Sequence, residues 1–419
     1  MVGDSAKPSG NETFCSEESS ISLKFSSGEM KSKEQTGEKG YGIRALRDGR
    51  LGFAYCESEA GIGKARETAA SLSAYSPKTG FSFAPKAAYP ELGLVDPGIA
   101  GLGAPEMKAM LGQMLEGAQR HVPKPRVMLS AGTAAISLEN SEGFSGSYRS
   151  SAFSAYVEAM DGDGYGFSYF EGLSLPEDPS ALGEKAGAMA KAMKSAKKLG
   201  PGFYDIIFEL TALEDVLSVL FPSLSGEWKR KRTSLLAEKL GEQVFNPVLS
   251  IYDDPLARAS LARPFDDEGT VSRRIPLIED GVLRNFIYDR ETAALEGADA
   301  CGFCSRGGFS SPPGAGRSNV DIAAGEYGDL EQELDSCVVV HALHGAHTAN
   351  TTTGDFGLEV NVAFHRSAKG AAPVPVRGFL ISGNIFKLLN GNLCLEKRRE
   401  TVGGMIAPRI AFKGVQVIS

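Results

Sequence analysis

The most informative stretch of this 419-residue chain is RPFDDEGTVSRRIPLIEDGVLRNFIYDRETAALEG, residues 263–297, followed shortly by CSRGGFSSPPGAGRSN, residues 304–319. The acidic triplet Asp266, Asp267 and Glu268 precedes Gly269, and this pattern favours a tight turn. Carboxylates in a row can also bind a hard cation, which is the alternative. The proline- and glycine-rich end lacks the GK[ST] ending of a phosphate-binding loop, so a nucleotide site is disfavoured.

Composition limits the class of protein. A chain of this length with 42% hydrophobic residues predicts two globular domains. The formal net charge of −8 disfavours nucleic-acid binding, which needs a clustered positive surface. No run approaches the roughly 20 apolar residues of a membrane span. The N-terminus has no apolar leader, so a cytoplasmic protein is expected. The six cysteines are too sparse for a disulfide framework and are expected to be reduced.

The pattern along the chain predicts an α+β fold in two domains. Residues 1–19 are polar and are expected to form a flexible arm before a first strand near Ser20–Phe25. Residues 20–199 are expected to form an N-terminal α+β domain with an antiparallel sheet. The cluster Gly200-Pro201-Gly202 marks the boundary, and residues 200–419 are expected to form a β-rich C-terminal domain.

Three local patterns add elements to this outline. Asp48-Gly49 lies between two strand-like runs and predicts a hairpin turn. Ile62–Leu72 and Met107–Ala118 carry apolar residues at three- and four-residue spacing, which predicts helices packed on a sheet. The same spacing predicts a helix at Arg232–Leu240, early in the second domain.

Histidines and cysteines provide two candidate metal sites. His341, His344 and His347 lie within seven residues. On a helix their rings would spread over about 120°, and on a strand neighbours would face opposite sides. We therefore expect packing or substrate contact, with metal binding as the alternative. Cys301 and Cys304 have the spacing of half a zinc site or a redox pair, but no second CxxC occurs, and they are expected to be incidental thiols.

The order and spacing of several local stretches resemble the TldD/PmbA family. These stretches are GIRALRDGRLGFA, NSEGFSGSYRSS, PFDDEG with IEDGVLRNFIYD, and ISGNIFKLLNGN followed by IAPRIAFKGVQVIS. The resemblance covers nearly the whole chain and is strongest from Gly200 onward. In that family TldD and PmbA share one fold and associate, with TldD holding zinc and PmbA completing the cleft that receives an extended peptide.

The resemblance also shows where a zinc site would be. TldD carries a HExxxH helix, and this motif does not occur in the sequence. The segment TSLLAEKLGEQVF, residues 233–245, resembles the TldD segment that bears it, with Ala237, Glu238 and Glu242 at the positions of histidine, glutamate and histidine. Alanine has no ligand atom for zinc. TldD also uses a cysteine near its C-terminus, where this chain has ETVGGMIAPRIA. The resemblance therefore implies a PmbA/TldE-like chain without its own zinc site or catalytic residues.

Such a chain would be a non-catalytic subunit that presents an extended or unfolded peptide to a TldD-like zinc peptidase. Zinc would then be held by the partner. Two alternatives remain: a metallopeptidase with a rebuilt site at the three histidines, or a regulatory protein-binding module, as the family's older name, modulator of DNA gyrase, implies. The sequence leaves open whether isolated chains form homodimers. By resemblance, the substrate-binding candidates are Arg306, Asn319, Thr353, Gly354 and Asp355.

Overall fold

The computed structural model describes residues 9–418, and its secondary structure confirms an α+β fold. Within that range no helix is long and apolar enough to cross a membrane. Of the expected flexible arm, residues 1–8 lie outside the described residues. For residues 10–19 the expectation is wrong, because the first strand begins at Gly10 and pairs on both sides. The polar composition of these residues does not mean that they are exposed, because Glu12 is buried in an ion cluster with the second half of the chain.

The N-terminal half is built on one six-stranded antiparallel sheet. Its strands are β1 (Gly10–Ser26), β2 (Glu29–Arg47), β3 (Arg50–Cys56), β4 (Arg126–Asn140), β5 (Ser145–Asp161) and β6 (Gly164–Gly172). Its helices are α1 (Ile62–Leu72), α2 (Pro97–Ala100), α3 (Ala104–Gln119) and α4 (Pro179–Met193). The strand order is β3-β2-β1-β4-β5-β6.

Local sequence explains the main features of this half. Asp48 and Gly49 have φ angles of 54° and 72°, so they form the predicted hairpin turn between β2 and β3. The predicted helices correspond to α1 and α3. Met107, Leu111 and Met114 of α3 pack on one face of β1, β4 and β5, and α4 lies beside α3. The helices therefore cover only one face of the sheet at these strands.

The C-terminal half forms a twelve-stranded mixed sheet and a short two-stranded ribbon. Its strands are β7 (Lys197–Lys198), β8 (Gly202–Phe208), β9 (Ile251–Asp253), β10 (Ile275–Glu279), β11 (Val282–Leu283), β12 (Cys304–Ser305), β13 (Gly314–Ala315), β14 (Val320–Ile322), β15 (Cys337–His344), β16 (Asp355–Arg366), β17 (Val374–Arg377), β18 (Phe379–Asn384), β19 (Leu393–Val402) and β20 (Met405–Ile418). Its helices are α5 (Leu210–Ser218), α6 (Gly226–Arg230), α7 (Arg290–Glu296), α8 (Leu330–Glu333) and α9 (Ile385–Asn390). The larger hydrophobic core lies here, with α5 against β8, β15 and β20.

The helix predicted at Arg232–Leu240 is wrong, because this segment folds as successive turns. Arg232 has a φ of 56°, which an α-helix does not accommodate. The Ser234 hydroxyl donates to the carbonyl of Ser223 at 2.7 Å and accepts from the N–H of Leu236 at 3.0 Å. These contacts override the helical propensity of the leucine, alanine, glutamate and lysine residues in this segment, because propensity alone is a weak determinant of structure.

The acidic triplet forms the predicted turn. Gly269 has a φ of 76°, and the N–H of Asp266 donates to the carbonyl of Thr270 at 2.9 Å. The Asp266 carboxylate accepts from the N–H groups of Glu268, Thr270 and Cys304 at 2.8 to 3.1 Å. Its oxygens are therefore used within the turn, and burial raises the pKa of Asp266. This arrangement favours the turn over the hard-cation alternative.

A buried ion cluster joins the two halves of the chain. Arg44 on β2 donates to both carboxylate oxygens of Glu12 on β1, at 2.8 and 2.7 Å, and to Glu268 at 2.6 Å. Arg306 donates to Glu12 at 2.5 Å. The four side chains are 0 to 3% exposed. Burial alone would raise the pKa of Glu12, but Arg44 and Arg306 together lower it, so Glu12 is ionised.

We expect Glu12→Ala to reduce the free energy of unfolding by about 3–5 kcal/mol, because it leaves two buried arginines without their shared counter-charge. The matched control is Glu17→Ala on the same strand. It removes an exposed pair with Lys39 at 2.9 Å and should leave the unfolding midpoint close to that of the unchanged chain. Urea unfolding of both variants checks this. Equal midpoints for the two variants would show that the cluster does not hold the halves together.

Candidate functional site

Residues 233–245, where the resemblance places a zinc helix, do not fit a zinc site. Ala237 has no donor atom, and the turn conformation does not bring positions 237 and 242 onto one helical face. Glu238 is exposed. Glu242 pairs with Lys239 at 2.7 Å, with both side chains about half exposed. Zinc needs three or four nitrogen, sulfur or oxygen ligands that converge on one point, and this segment provides no such group.

The second zinc-related stretch, residues 400–411, forms the hairpin between β19 and β20. The turn falls at Gly403 and Gly404, and Met405 is completely buried. The stretch has no cysteine or histidine. Within residues 9–418 no group of three or more histidine, cysteine, aspartate or glutamate side chains is arranged to hold a metal ion.

The three clustered histidines have different environments. His341 lies on β15, where its carbonyl accepts from the Thr211 hydroxyl at 3.1 Å and its ring packs edge-on against Phe364. Burial, with Lys185 nearby, lowers the pKa of His341 to about 4, so its ring is neutral at pH 7. His344 ends the same strand and is exposed, and His347 lies in the turn that follows. His341 thus packs within the protein, whereas His344 and His347 are exposed.

The two cysteines of the CxxC pair are packed thiols. Cys301 and Cys304 are both buried, and neither forms a disulfide. Burial raises the pKa of both, and it raises that of Cys304 well above the ordinary value, with Glu268 and Asp266 adding to the effect. A thiol held neutral in this way is a poor nucleophile and a poor metal ligand.

Arg306 and Asn319, two of the five substrate-binding candidates, are buried structural residues. Arg306 belongs to the ion cluster and also donates to the carbonyl of Asp267 at 3.1 Å. The Asn319 amide donates to the carbonyls of Asp254 and Ala257, at 3.1 and 3.0 Å, and its oxygen accepts from the N–H of Leu261 at 2.9 Å. The amide nitrogen and the oxygen of the Asn319 side chain are thus both hydrogen-bonded within the protein. Both residues shape loops from within the protein.

The remaining three candidates lie where a turn runs into β16, with Thr353 and Asp355 exposed and Gly354 buried. Gly354 has a φ of 79°, and Thr353 donates to the Asp355 carboxylate at 2.7 Å. Asn384 donates to the same carboxylate at 2.9 Å, and these two hydrogen bonds, that from Asn384 first, lower the pKa of Asp355. Asp355 lines an open cleft of about 390 Å³ together with Asn384 and Lys387. Asp355 is therefore the candidate that a ligand could reach.

An open strand edge is a feature that sequence reasoning did not locate. β3 pairs with β2 only from Tyr41 to Arg47, so residues 29–40 of β2 pair on one side alone, with β1, in the part of the chain that the structure describes. Such an edge offers unpaired N–H and C=O groups to an added strand. The run EMKSKEQTGEKG has almost no large apolar side chains, which is the sequence signal for a strand exposed on both faces.

Three family models match the chain in order along its length. They are PmbA/TldA metallopeptidase domain 1 at residues 12–73, the central domain at residues 105–194 and the C-terminal domain at residues 201–419. The last match alone spans just over half of the chain. The protein therefore belongs to the PmbA/TldD family of metallopeptidases, as the resemblance of its local stretches predicts.

Relatives and solved structures agree with this assignment. An uncharacterised protein of Methanocaldococcus jannaschii is 29% identical over 392 residues, which cover 91% of this chain and 90% of that protein. A Thermotoga maritima protein described as a modulator of a DNA gyrase has a TM-score of 0.88 at 25% identity, over 98% of this chain and 96% of its own. TldE from Thermococcus kodakarensis has the same fold, with a TM-score of 0.88 at 24% identity, over 98% and 97% of the two chains.

The environment of His341 predicts a pH dependence of stability. Its pKa is about 4 in the folded chain and near 6.5 in the unfolded chain, so the unfolded chain binds more protons between these values. The contribution is present above pH 6.5 and is lost as the pH falls towards 4, at up to roughly 1.4 kcal/mol per pH unit. His341→Gln should therefore flatten the pH profile of unfolding in this window, whereas His344→Gln should not. An unchanged slope in His341→Gln would show that His341 is not held neutral.

Proposed function

We propose that this chain is the non-catalytic, peptide-presenting subunit of a two-chain TldD/TldE-type metallopeptidase of the cytoplasm. A TldD-like partner would hold the zinc and cut the peptide. The observation that carries the proposal is the segment at residues 233–245, which has an alanine at a ligand position and folds as turns. The TldE fold of the Thermococcus kodakarensis structure is consistent with it.

The chemistry of zinc hydrolysis supports this division of roles. A catalytic zinc site needs three protein ligands and one open position for water, whose pKa the metal lowers towards 7. Glu238 stands where a glutamate would polarise such a water, but it faces solvent beside a segment without ligands. The rebuilt histidine site is disfavoured by the same requirement, because His341 is engaged in packing while His344 and His347 lie on the exposed end and the following turn.

Peptide binding has a physical basis in the open edge of β2. An extended peptide that pairs with residues 29–40 would gain main-chain hydrogen bonds, which give affinity with little dependence on side-chain sequence. The free edge is 12 residues long, enough for such pairing. Unfolded substrates suit this mode, because a folded protein has few unpaired strands to offer.

The proposal is tested by the metal content of the purified, tag-free chain, measured by mass spectrometry after addition of zinc and desalting. We expect far less than one zinc per chain, because residues 9–418 contain no convergent set of ligands. Glu238→Ala combined with Glu242→Ala should leave this low value unchanged. Stoichiometric zinc in the isolated chain, lost on changing His341, His344 or His347, would instead make this chain a metallopeptidase in its own right.

A further inference from the structure

One face of the N-terminal sheet opens into a groove of about 630 Å³ beside the junction of the two halves. On this face β1 first lies under the C-terminal half, with Glu12 in the ion cluster and Phe14 against Phe265 and Phe309. Further along β1 the same face is uncovered at Glu18 and Ser20. The groove therefore continues the interface between the two halves onto an open sheet surface.

Small side chains form the floor of the groove. The strand register places Ser20, Gly132 and Ala152 side by side across β1, β4 and β5. The hydroxyls of Ser20 and Thr36 are 2.8 Å apart. A sheet face without bulky side chains leaves room for long side chains that reach over it from the edge of β2.

The walls of the groove are negatively charged. Glu18 on β1 lies directly opposite Glu38 on β2, on the groove face, and Glu171 on β6 stands at the far side. Among the described residues, those that line the groove include these three glutamates and no lysine or arginine. Within residues 9–418 neither Glu18 nor Glu38 has an ion-pair partner, although Glu17 beside them pairs with Lys39. Like charges directly opposite on paired strands destabilise a sheet, and a bound cation relieves that repulsion.

We propose that this groove binds extended peptide segments that carry lysine or arginine side chains. The inference rests on the proposed function and adds the substrate class: basic, unfolded peptides. A peptide paired with the open edge of β2 would place alternate side chains beside Thr36 and Glu38 on the groove face. The paired glutamates would then neutralise its cationic residues.

Other occupants fit the groove less well. A hard metal ion takes six to eight oxygen ligands, and two facing carboxylates are too few. Nucleic acid and acidic peptides are repelled by the same glutamates. An amphipathic helix needs an apolar groove, whereas this floor is serine, glycine and alanine.

The test is fluorescence anisotropy with two labelled, unstructured dodecapeptides, one alternating serine with lysine and the other alternating serine with glutamate. The full chain should bind the lysine peptide more tightly at low salt, and the preference should shrink as salt rises. Glu18→Gln combined with Glu38→Gln should weaken this binding roughly five- to tenfold. The unfolding midpoint of this double variant should not fall below that of the unchanged chain, because the substitutions remove a repulsive pair.

The matched control combines Glu67→Gln with Glu116→Gln, two exposed glutamates on α1 and α3 that remove the same net charge away from the groove. This control should bind like the unchanged chain, whereas Glu18→Lys with Glu38→Lys should prefer the glutamate peptide.

Equal affinity for both peptides, or unchanged binding after the substitutions Glu18→Gln and Glu38→Gln, overturns the inference. So does self-association of the chain that these substitutions abolish, which would identify a second copy as the occupant. This binding assay contains neither a partner nor zinc. A negative result would therefore overturn the charge preference only, and the proposed subunit role would still be tested by the metal content of the chain.

Discussion

The buried cluster of Glu12, Arg44, Glu268 and Arg306 is the interaction on which the rest of the structure depends. It connects the first two strands of the chain to the turn and loop of the second half through charge-assisted hydrogen bonds of 2.5 to 2.8 Å. Buried charges need oppositely charged partners, and each of these four side chains has one in the cluster, so this contact joins the two halves. The position of the open sheet face next to the junction follows from it.

The structure bears on two properties that a peptidase usually combines in one chain, metal binding and peptide binding. The segment where the family resemblance places a zinc helix is a series of surface turns here, while the sheet has an open edge and a negatively charged groove. These two features of residues 9–418 are consistent with the proposed role of a presenting subunit. The groove also limits the range of peptides that we expect to bind. Its negative charge favours basic peptides, whereas main-chain pairing does not depend on peptide charge.

Much of the fold could be predicted from local sequence. The Asp48-Gly49 hairpin, the helices at Ile62–Leu72 and α3, and the turn after the acidic triplet all follow from short-range preferences that the structure keeps. The start of β1 and the turns at residues 232–240 could not be predicted from local sequence. Both depend on contacts with residues outside the segment, such as that of Ser234 with Ser223. Glu12 looks like a solvated acid until Arg306, 294 residues later, is known to reach it.

The candidate site shows the same limit. The family resemblance suggests that Arg306 and Asn319 lie near a peptide, and the structure adds that both side chains are buried, which sequence alone does not reveal. The groove was invisible because its floor consists of single serines, glycines and alanines on strands far apart in the chain. Its glutamates become a pair only through the strand register.

The most direct test of the central claim is the rate of hydrolysis of an unfolded peptide as this chain is titrated into a fixed amount of a TldD-like partner. The account predicts negligible hydrolysis by this chain alone, and a rate that rises with its addition and saturates near equal amounts of the two chains. Glu238→Ala in this chain should not change that rate. Chelator-sensitive hydrolysis by this chain alone, or loss of activity in Glu238→Ala, would contradict the account.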